Sequence, residues 1–305
     1  MKAEVIRGSI VALVTPFRED GSVDFESLGN LIDFHLANRT DAILVLGTTG
    51  ESSAMSHEED DAVCEYTVKR VAGRVPVIAG SGSNCTQTML EKSLSFEKLG
   101  ADGLLLISPY YNKTNDEGMY LHFKTVADAV NIPCILYNVP GRTGCSISEN
   151  VVRRLASHPN IAGIKEASGN LSYAANIARY LSDDFVMYSG NDDIILPMLS
   201  LGASGVISVL ANVVPAETHD MVMDYLEGDR GKALAAQLKY LDLIHAMFCE
   251  VNPIPVSYTH LGASGDGRSA RGARAAVVRP RKRPDGNACP RARRRAAHTG
   301  ILFAR

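Results

Sequence analysis

Ile161-Ala162-Gly163-Ile164-Lys165-Glu166-Ala167 is a short apolar run, bounded by Pro159-Asn160 on one side and Ser168-Gly169 on the other. Turn formers at both ends and branched residues between them describe a strand buried on both faces. Such a strand does not need a lysine. At its ordinary pKa only about 1 lysine amine in 2,500 is neutral at pH 7, and burial raises that fraction. A neutral, desolvated amine is a nucleophile that condenses with ketones. The alternatives for Lys165 are an amine that snorkels out at the strand end or one that pairs with Glu166.

Seven further runs share this character: Ile10–Val14, Ala42–Leu46, Val75–Ala79, Gly103–Ser108, Cys134–Val139, Phe185–Ser189 and Gly205–Leu210. Segments with helical spacing separate them, including Asp24–Arg39, Ser56–Ala72, Thr86–Leu99, Asp116–Val130, Ser148–Ser157 and Pro215–Glu227. Asp24, Ser56, Thr86 and Ser148 are the expected N-caps, and Ser56 with Glu59 has capping-box spacing. Eight apolar strands alternating with helices over about 225 residues imply an α/β fold, a closed (β/α)8 TIM barrel. The barrel is assigned to residues 1–227. Residues 228–256 form a C-terminal helical extension, mainly one long helix over Asp229–Glu250 packed outside the barrel.

In such a barrel chemistry belongs at the C-terminal ends of the strands. Thr48-Thr49-Gly50-Glu51, Pro109-Tyr110-Tyr111-Asn112, Tyr137 through Arg142, Lys165 and Ser189-Gly190-Asn191-Asp192 all fall there. Any one of them has a structural explanation, but five on one rim point to a site. Gly80-Ser81-Gly82-Ser83-Asn84 lacks the third glycine and the Lys-Ser/Thr of phosphate cradles, and reads as packing near the rim.

Hydrophobic content of 46% and charged content of 21% are those of an ordinary soluble protein. No run approaches a membrane span, and the apolar stretch Ile10–Val14 is too short for a signal peptide. Six scattered cysteines without a C-x-x-C pair suit free thiols in a reducing cytoplasm, and eight histidines show no metal-ligand spacing. The net charge of -3 divides unevenly: residues 257–305 hold 12 Lys and Arg against 2 acids. The remainder is acidic and does not invite nucleic acid.

The stretches Gly47–Glu51, Ser108–Lys113, Tyr137–Gly144, Gly163–Gly169, Ser189–Asp193 and Asn252–Val256 together resemble the dihydrodipicolinate synthase / N-acetylneuraminate lyase family of class I, pyruvate-dependent aldolases. The resemblance covers about residues 8–256, and Tyr137-Asn138-Val139-Pro140-Gly141-Arg142-Thr143-Gly144 is similar to its synthase branch. It implies condensation of pyruvate with L-aspartate 4-semialdehyde to 4-hydroxy-tetrahydrodipicolinate, in lysine and diaminopimelate biosynthesis. It implies a covalent pyruvate imine on Lys165 and no other cofactor or metal.

Tyr137 would shuttle protons, and Thr49 would link it to Tyr111, supplied by the neighbouring subunit of a homodimer or homotetramer. Thr48 and Thr49 would hold the pyruvate carboxylate, Arg142 the carboxylate of the aldehyde, and backbone at Gly190 and Ile207 would face substrate. A pocket for L-lysine is implied at Ser52, Ser53, His57, Asp60, Asn84, Thr88 and Tyr110, with Thr88 where lysine-sensitive relatives carry Glu. Asp60 is the one candidate to compensate, but it is shorter and lies on a different helix, so it is not expected to replace that Glu.

After Val256 the sequence departs from the family. Residues 257–305 are rich in Arg, Gly, Ala and Pro and carry no core-forming pattern. The junction is read as a frame or assembly error that truncates the helical extension; a basic arm for nucleic acid or anionic lipid is the other reading. Two rival functions remain in view: a lyase or aldolase on the same scaffold, acting on a sialic acid or 2-keto-3-deoxy sugar acid, and a non-catalytic or misassembled chain. Arg142 after Pro140-Gly141 and the Thr48-Thr49 pair favour the synthase over the sialic-acid lyase, which usually has Ser for the first Thr.

Overall fold

The eight apolar runs become eight parallel strands. They are β1 (Gly8–Ala12), β2 (Ala42–Val45), β3 (Val77–Gly80), β4 (Gly103–Ile107), β5 (Cys134–Asn138), β6 (Ile161–Glu166), β7 (Val186–Ser189) and β8 (Gly205–Ser208). They follow one another in order, and β8 pairs with β1 to close the barrel. The structure is a computed structural model and describes residues 6–256. The reading of residues 257–305 therefore lies outside the described residues.

Side chains alternate between two layers. Ile10, Ala12, Leu44, Ile78, Leu105, Ile135, Tyr137, Tyr188 and Ile207 pack together inside the barrel. The alternate positions, among them Val11, Ile43, Leu104, Leu136, Ile164 and Met187, pack outward against the helices. Every strand is therefore apolar on both faces, which is why the runs are continuous rather than alternating. Gly205 allows the closure: a Cβ there would lie 2.0 Å from the Gly8 carbonyl oxygen.

The covering helices are α1 (Phe25–Ala37), α2 (His57–Val71), α3 (Thr86–Lys98), α4 (Asp116–Ala129), α5 (Pro140–Thr143), α6 (Glu149–Leu155), α7 (Leu171–Ala178), α8 (Ile195–Ser200) and α9 (Pro215–Glu227). Asp24 caps α1 through Ser27 N, Ser148 caps α6 through Val151 N, and Ser56 with Glu59 closes the expected capping box on α2. The fourth expected cap differs. Cys85 occupies the N-cap of α3, and the Thr86 hydroxyl instead meets His122 Nδ1 at 2.8 Å, tying α3 to α4.

The long C-terminal helix, α10 (Arg230–Met247), lies against α8 and α9 outside the barrel. It is not isolated from the rim. Gln237 Nε2 donates to the Asp192 carbonyl at 2.9 Å, and the chain beyond α10 returns over the barrel mouth to bury Asn252 and Val256.

Candidate active site at the C-terminal rim of the barrel

Lys165 is the fifth residue of β6, in register with Tyr137 on β5 and Tyr188 on β7. Both neighbours point into the barrel, so Lys165 does too, and Glu166 points the other way. The Glu166 carboxylate accepts from Asn138 Nδ2 at 2.6 Å and Ser168 N at 2.7 Å. It fastens β5 to the loop after β6 and is not the partner of Lys165. Nor does the lysine snorkel: it is 6% exposed.

Its amine lies 4.6 Å from the centre of the Tyr137 ring. Burial holds its pKa down to about 8; the attraction of Asp192 opposes that shift and the repulsion of Arg142 adds to it. At pH 7 roughly one amine in ten is then neutral, some two hundred times the fraction of an ordinary lysine. Burial raises the Tyr137 pKa, against the opposing effects of Arg142 and of a hydrogen bond from Thr48. An amine, a phenol and a hydroxyl thus lie next to one another at the mouth.

That arrangement differs from the expectation in one residue. Thr49 was expected to link Tyr137 onward, yet it is Thr48 whose hydroxyl meets the phenol. Thr49 is buried on the far side of the turn, where its Oγ1 accepts from Asn252 Nδ2 at 3.0 Å. Consecutive residues of a tight turn present their side chains in different directions, and here Gly50 N closes the turn on the Gly47 carbonyl at 3.0 Å.

Tyr111 is not brought to Lys165 within the chain. It is 91% exposed and has a left-handed backbone, φ 67°, in the loop between β4 and α4. A tyrosine held outward in a conformation that side chains seldom adopt is costly to maintain without a use.

Arg142 lies in α5 just past β5, and its Nη2 donates to the Asn252 carbonyl at 3.0 Å. Gly190 follows β7, and its N–H donates to the Glu166 carbonyl at 2.7 Å. A Cβ at Gly190 would come within 2.5 Å of the Ala167 Cβ. Ile207 lines the interior from β8. The Gly80–Asn84 loop packs as expected: Ser81 N donates to the Leu105 carbonyl and Ser93 Oγ donates to Ser81 Oγ. Among the described residues no group of three or more His, Cys, Asp or Glu side chains could hold a metal ion.

Two residues without an assigned role prove central. Asn252 joins Thr49 through its side chain and Arg142 through its carbonyl, so the C-terminal segment is part of the mouth. Asp192, buried at 3%, anchors the turn after β7. Its signal in the sequence is an acid, the first of two, directly after Ser189-Gly190-Asn191; for Asn252 it is an amide ahead of two prolines.

At the expected lysine pocket, Asp60 on α2 is already engaged. Its Oδ2 accepts from Lys92 Nζ at 2.8 Å and from Ser52 Oγ at 3.0 Å. Lys92 lies on α3, one turn after Thr88.

Fold and rim define the class: a (β/α)8-barrel protein with a buried lysine on the sixth strand among polar groups of neighbouring strand ends. The particular family follows from comparison. The model of the Dihydrodipicolinate synthetase family matches residues 5–264, and the chain belongs to that family. It is 55% identical over 252 residues to the 4-hydroxy-tetrahydrodipicolinate synthase of Caldicellulosiruptor saccharolyticus, covering 83% of this chain and 85% of that one.

Among solved structures, the chloride-inhibited dihydrodipicolinate synthase of Acinetobacter baumannii complexed with pyruvate has a TM-score of 0.90 at 37% identity. That match covers 98% of this chain and 100% of the other. A DHDPS from Cyanidioschyzon merolae with lysine bound has a TM-score of 0.87 at 36% identity, covering 97% and 99%.

Proposed function

We propose that the protein is a Schiff-base synthase that condenses pyruvate with L-aspartate 4-semialdehyde to give 4-hydroxy-tetrahydrodipicolinate, the product named for its relatives. The observation that carries this reading is Lys165: an amine buried inside the barrel mouth, with its pKa held down to about 8, in contact with Tyr137.

The neutral amine adds to the ketone carbon of pyruvate. Tyr137 returns the proton that allows the oxygen to leave as water, and the nitrogen is left as a protonated imine. That charge draws electrons from the neighbouring bonds, so the methyl carbon loses a proton and becomes an enamine. The enamine attacks the aldehyde carbon. The amino group of the joined product then attacks the imine carbon, closes the ring and releases Lys165.

Thr48 takes the relay position next to Tyr137, in place of Thr49. The Gly47–Gly50 turn receives the pyruvate carboxylate, and Arg142 the carboxylate of the aldehyde. No cofactor beyond the imine on Lys165 enters this scheme. The exposure of Tyr111 supports its delivery to the site of a second subunit in a homodimer or homotetramer. Free thiols at Cys64, Cys85, Cys134, Cys145 and Cys249 suit a cytoplasmic setting. No helix of the described residues is long and apolar enough to cross a membrane.

Treatment with pyruvate and borohydride, followed by peptide mapping and a coupled assay with aspartate semialdehyde, tests the proposal. A reduced pyruvate adduct on Lys165 and turnover of the aldehyde are expected. An adduct on another lysine overturns the nucleophile assignment. An adduct on Lys165 without turnover of this aldehyde, but with cleavage of a 2-keto-3-deoxy sugar acid, hands the chain to the sister lyases.

A further inference from the structure

Arg142 is carried on a loop. Residues 139–147 leave the end of β5, turn through α5 and come back to Ile147 ahead of α6. An arginine selects a carboxylate well only if the backbone beneath it is held still. The loop braces itself internally: Thr143 Oγ1 donates to the Cys145 carbonyl at 2.8 Å and lies 3.2 Å from the Val139 carbonyl. From its tip Arg142 Nη2 reaches the Asn252 carbonyl at 3.0 Å. These contacts shape the loop, but its attachment to the barrel is made at the neck.

One side chain closes that neck. Asn138, the last residue of β5, is fully buried, and its Oδ1 accepts from Ile147 N at 3.0 Å. Both ends of the loop therefore rest on the same residue. The N–H on that side decides which amide atom faces it, so Nδ2 points the other way. There it donates to Glu166 Oε2 at 2.6 Å, while Glu166 Oε1 accepts from Ser168 N at 2.7 Å. Tyr173 on α7 holds the neck from outside, its hydroxyl donating to the Ile147 carbonyl at 2.6 Å. The strands do not need this network in order to pair. Tyr137 and Lys165 are already in register, and Ala167 N donates to the Asn138 carbonyl at 2.9 Å. The Asn138 amide thus serves the loop, with both of its polar atoms satisfied in the interior.

We propose that Asn138 is a positioning residue for the acceptor aldehyde: it closes the neck of the 139–147 loop and so sets where Arg142 meets the aldehyde carboxylate. This rests on the function proposed above. Asn138 takes no part in the bonds made or broken, and its effect falls on the second substrate rather than on imine formation with pyruvate.

The test is steady-state kinetics of Asn138→Ala, Arg142→Ala and the double variant, beside the rate of pyruvate adduct formation under cyanoborohydride. Asn138→Ala should lower kcat/KM for L-aspartate 4-semialdehyde by about a hundredfold, mostly through KM, the scale of a displacement of about 1 Å. Adduct formation and KM for pyruvate should change by about twofold or less. In the Arg142→Ala background the same substitution should also cost about twofold or less, since the loop then has no guanidinium to place. Losses that multiply independently overturn the inference. A fall in adduct formation equal to the fall with the aldehyde does so too, because it describes a structural role.

Should Asn138→Ala fail to give a cooperative melt, Tyr173→Phe carries the test. It loosens the same neck by one hydrogen bond and should lower kcat/KM for the aldehyde by about three- to tenfold, and only while Arg142 is present. No loss, or a loss that persists without Arg142, overturns the inference. If Arg142→Ala itself leaves kcat/KM for the aldehyde unchanged, the role proposed for Arg142 fails and takes this inference with it. A large loss there with none from Asn138→Ala defeats this inference alone.

Discussion

Replacing Lys165 with methionine should abolish imine formation and make the protein more stable, and the gain should depend on pH. The lysine pKa is held down from 10.5 to about 8, chiefly by burial. A lysine whose folded pKa lies below its unfolded value holds fewer protons when folded, across the interval between the two. Stability of the unmodified protein therefore rises with pH from about 8 to about 10.5, and the full cost is present below pH 8. Two and a half pH units at about 1.4 kcal/mol each put that cost on the order of 3 kcal/mol.

Methionine fills a similar volume and carries no such cost. Asp192 loses an attractive partner in the variant and takes back part of the gain, so the expected net at pH 7 is a stabilisation smaller than that cost. Urea unfolding of both proteins from pH 7 to pH 10 measures it. The advantage of Lys165→Met should be largest at pH 7 and shrink as pH climbs through 8 to 10. Equal or lower stability of the variant at pH 7, or an advantage that ignores pH, would refute the reasoning that burial is what activates this lysine.

Arg142→Ala should leave the pyruvate adduct on Lys165 intact while raising KM for the aldehyde, with a loss of about 2–4 kcal/mol in kcat/KM from one charge-assisted carboxylate contact. Unchanged kcat/KM would mean that no carboxylate binds there. Thr48→Val should lower kcat by about a hundredfold, the scale of one proton-transfer contact, and Thr49→Val by about tenfold or less; the reverse order in steady-state kinetics would restore Thr49 to the relay. Lys165→Ala and Tyr111→Phe, each inactive alone, should recover about a quarter of full activity when unfolded and refolded together, because random pairing rebuilds one complete site in half the dimers. No recovery would place Tyr111 outside the partner's site. L-Lysine should inhibit weakly or not at all, since Thr88 offers no charge and Asp60 is already paired with Lys92; the missing charged contact is worth about 1.5–3 kcal/mol, or roughly ten- to a hundredfold in affinity. Strong inhibition at sub-millimolar lysine in the coupled assay would overturn this.

The barrel was legible because each strand is buried on two faces, which leaves continuous apolar runs that turn residues punctuate. Strand ends drifted by a residue or two: Val75–Ala79 was expected where β3 covers Val77–Gly80. The apolar pattern continues into the turns there, and only ladder pairing marks the ends. Lys165, Tyr137 and Arg142 were legible as chemistry for a related reason, since polar groups in a rim of otherwise apolar strand ends have few structural uses. Which of two adjacent threonines faces Tyr137 was not legible. That choice is set by the torsions of the turn and by Asn252, which lies more than two hundred residues away in the chain.

The same distance explains why the extension was read as a layer outside the barrel rather than as part of the site. Residues 228–256 have the composition of a packing helix and a short proline-rich return, and nothing local in them suggests chemistry. Yet Gln237 holds the backbone of Asp192, while Asn252 holds the Thr49 hydroxyl and the Arg142 guanidinium. The Asn252 amide nitrogen donates here, so the Thr49 oxygen accepts and its own proton points away. The extension thereby orients a hydroxyl on the loop after β2, a cation after β5 and an anion after β7, three rim positions that strand pairing alone leaves to separate loops. A change that loosened α10 should accordingly disturb the mouth, and the charge balance at Lys165, before it disturbed the barrel.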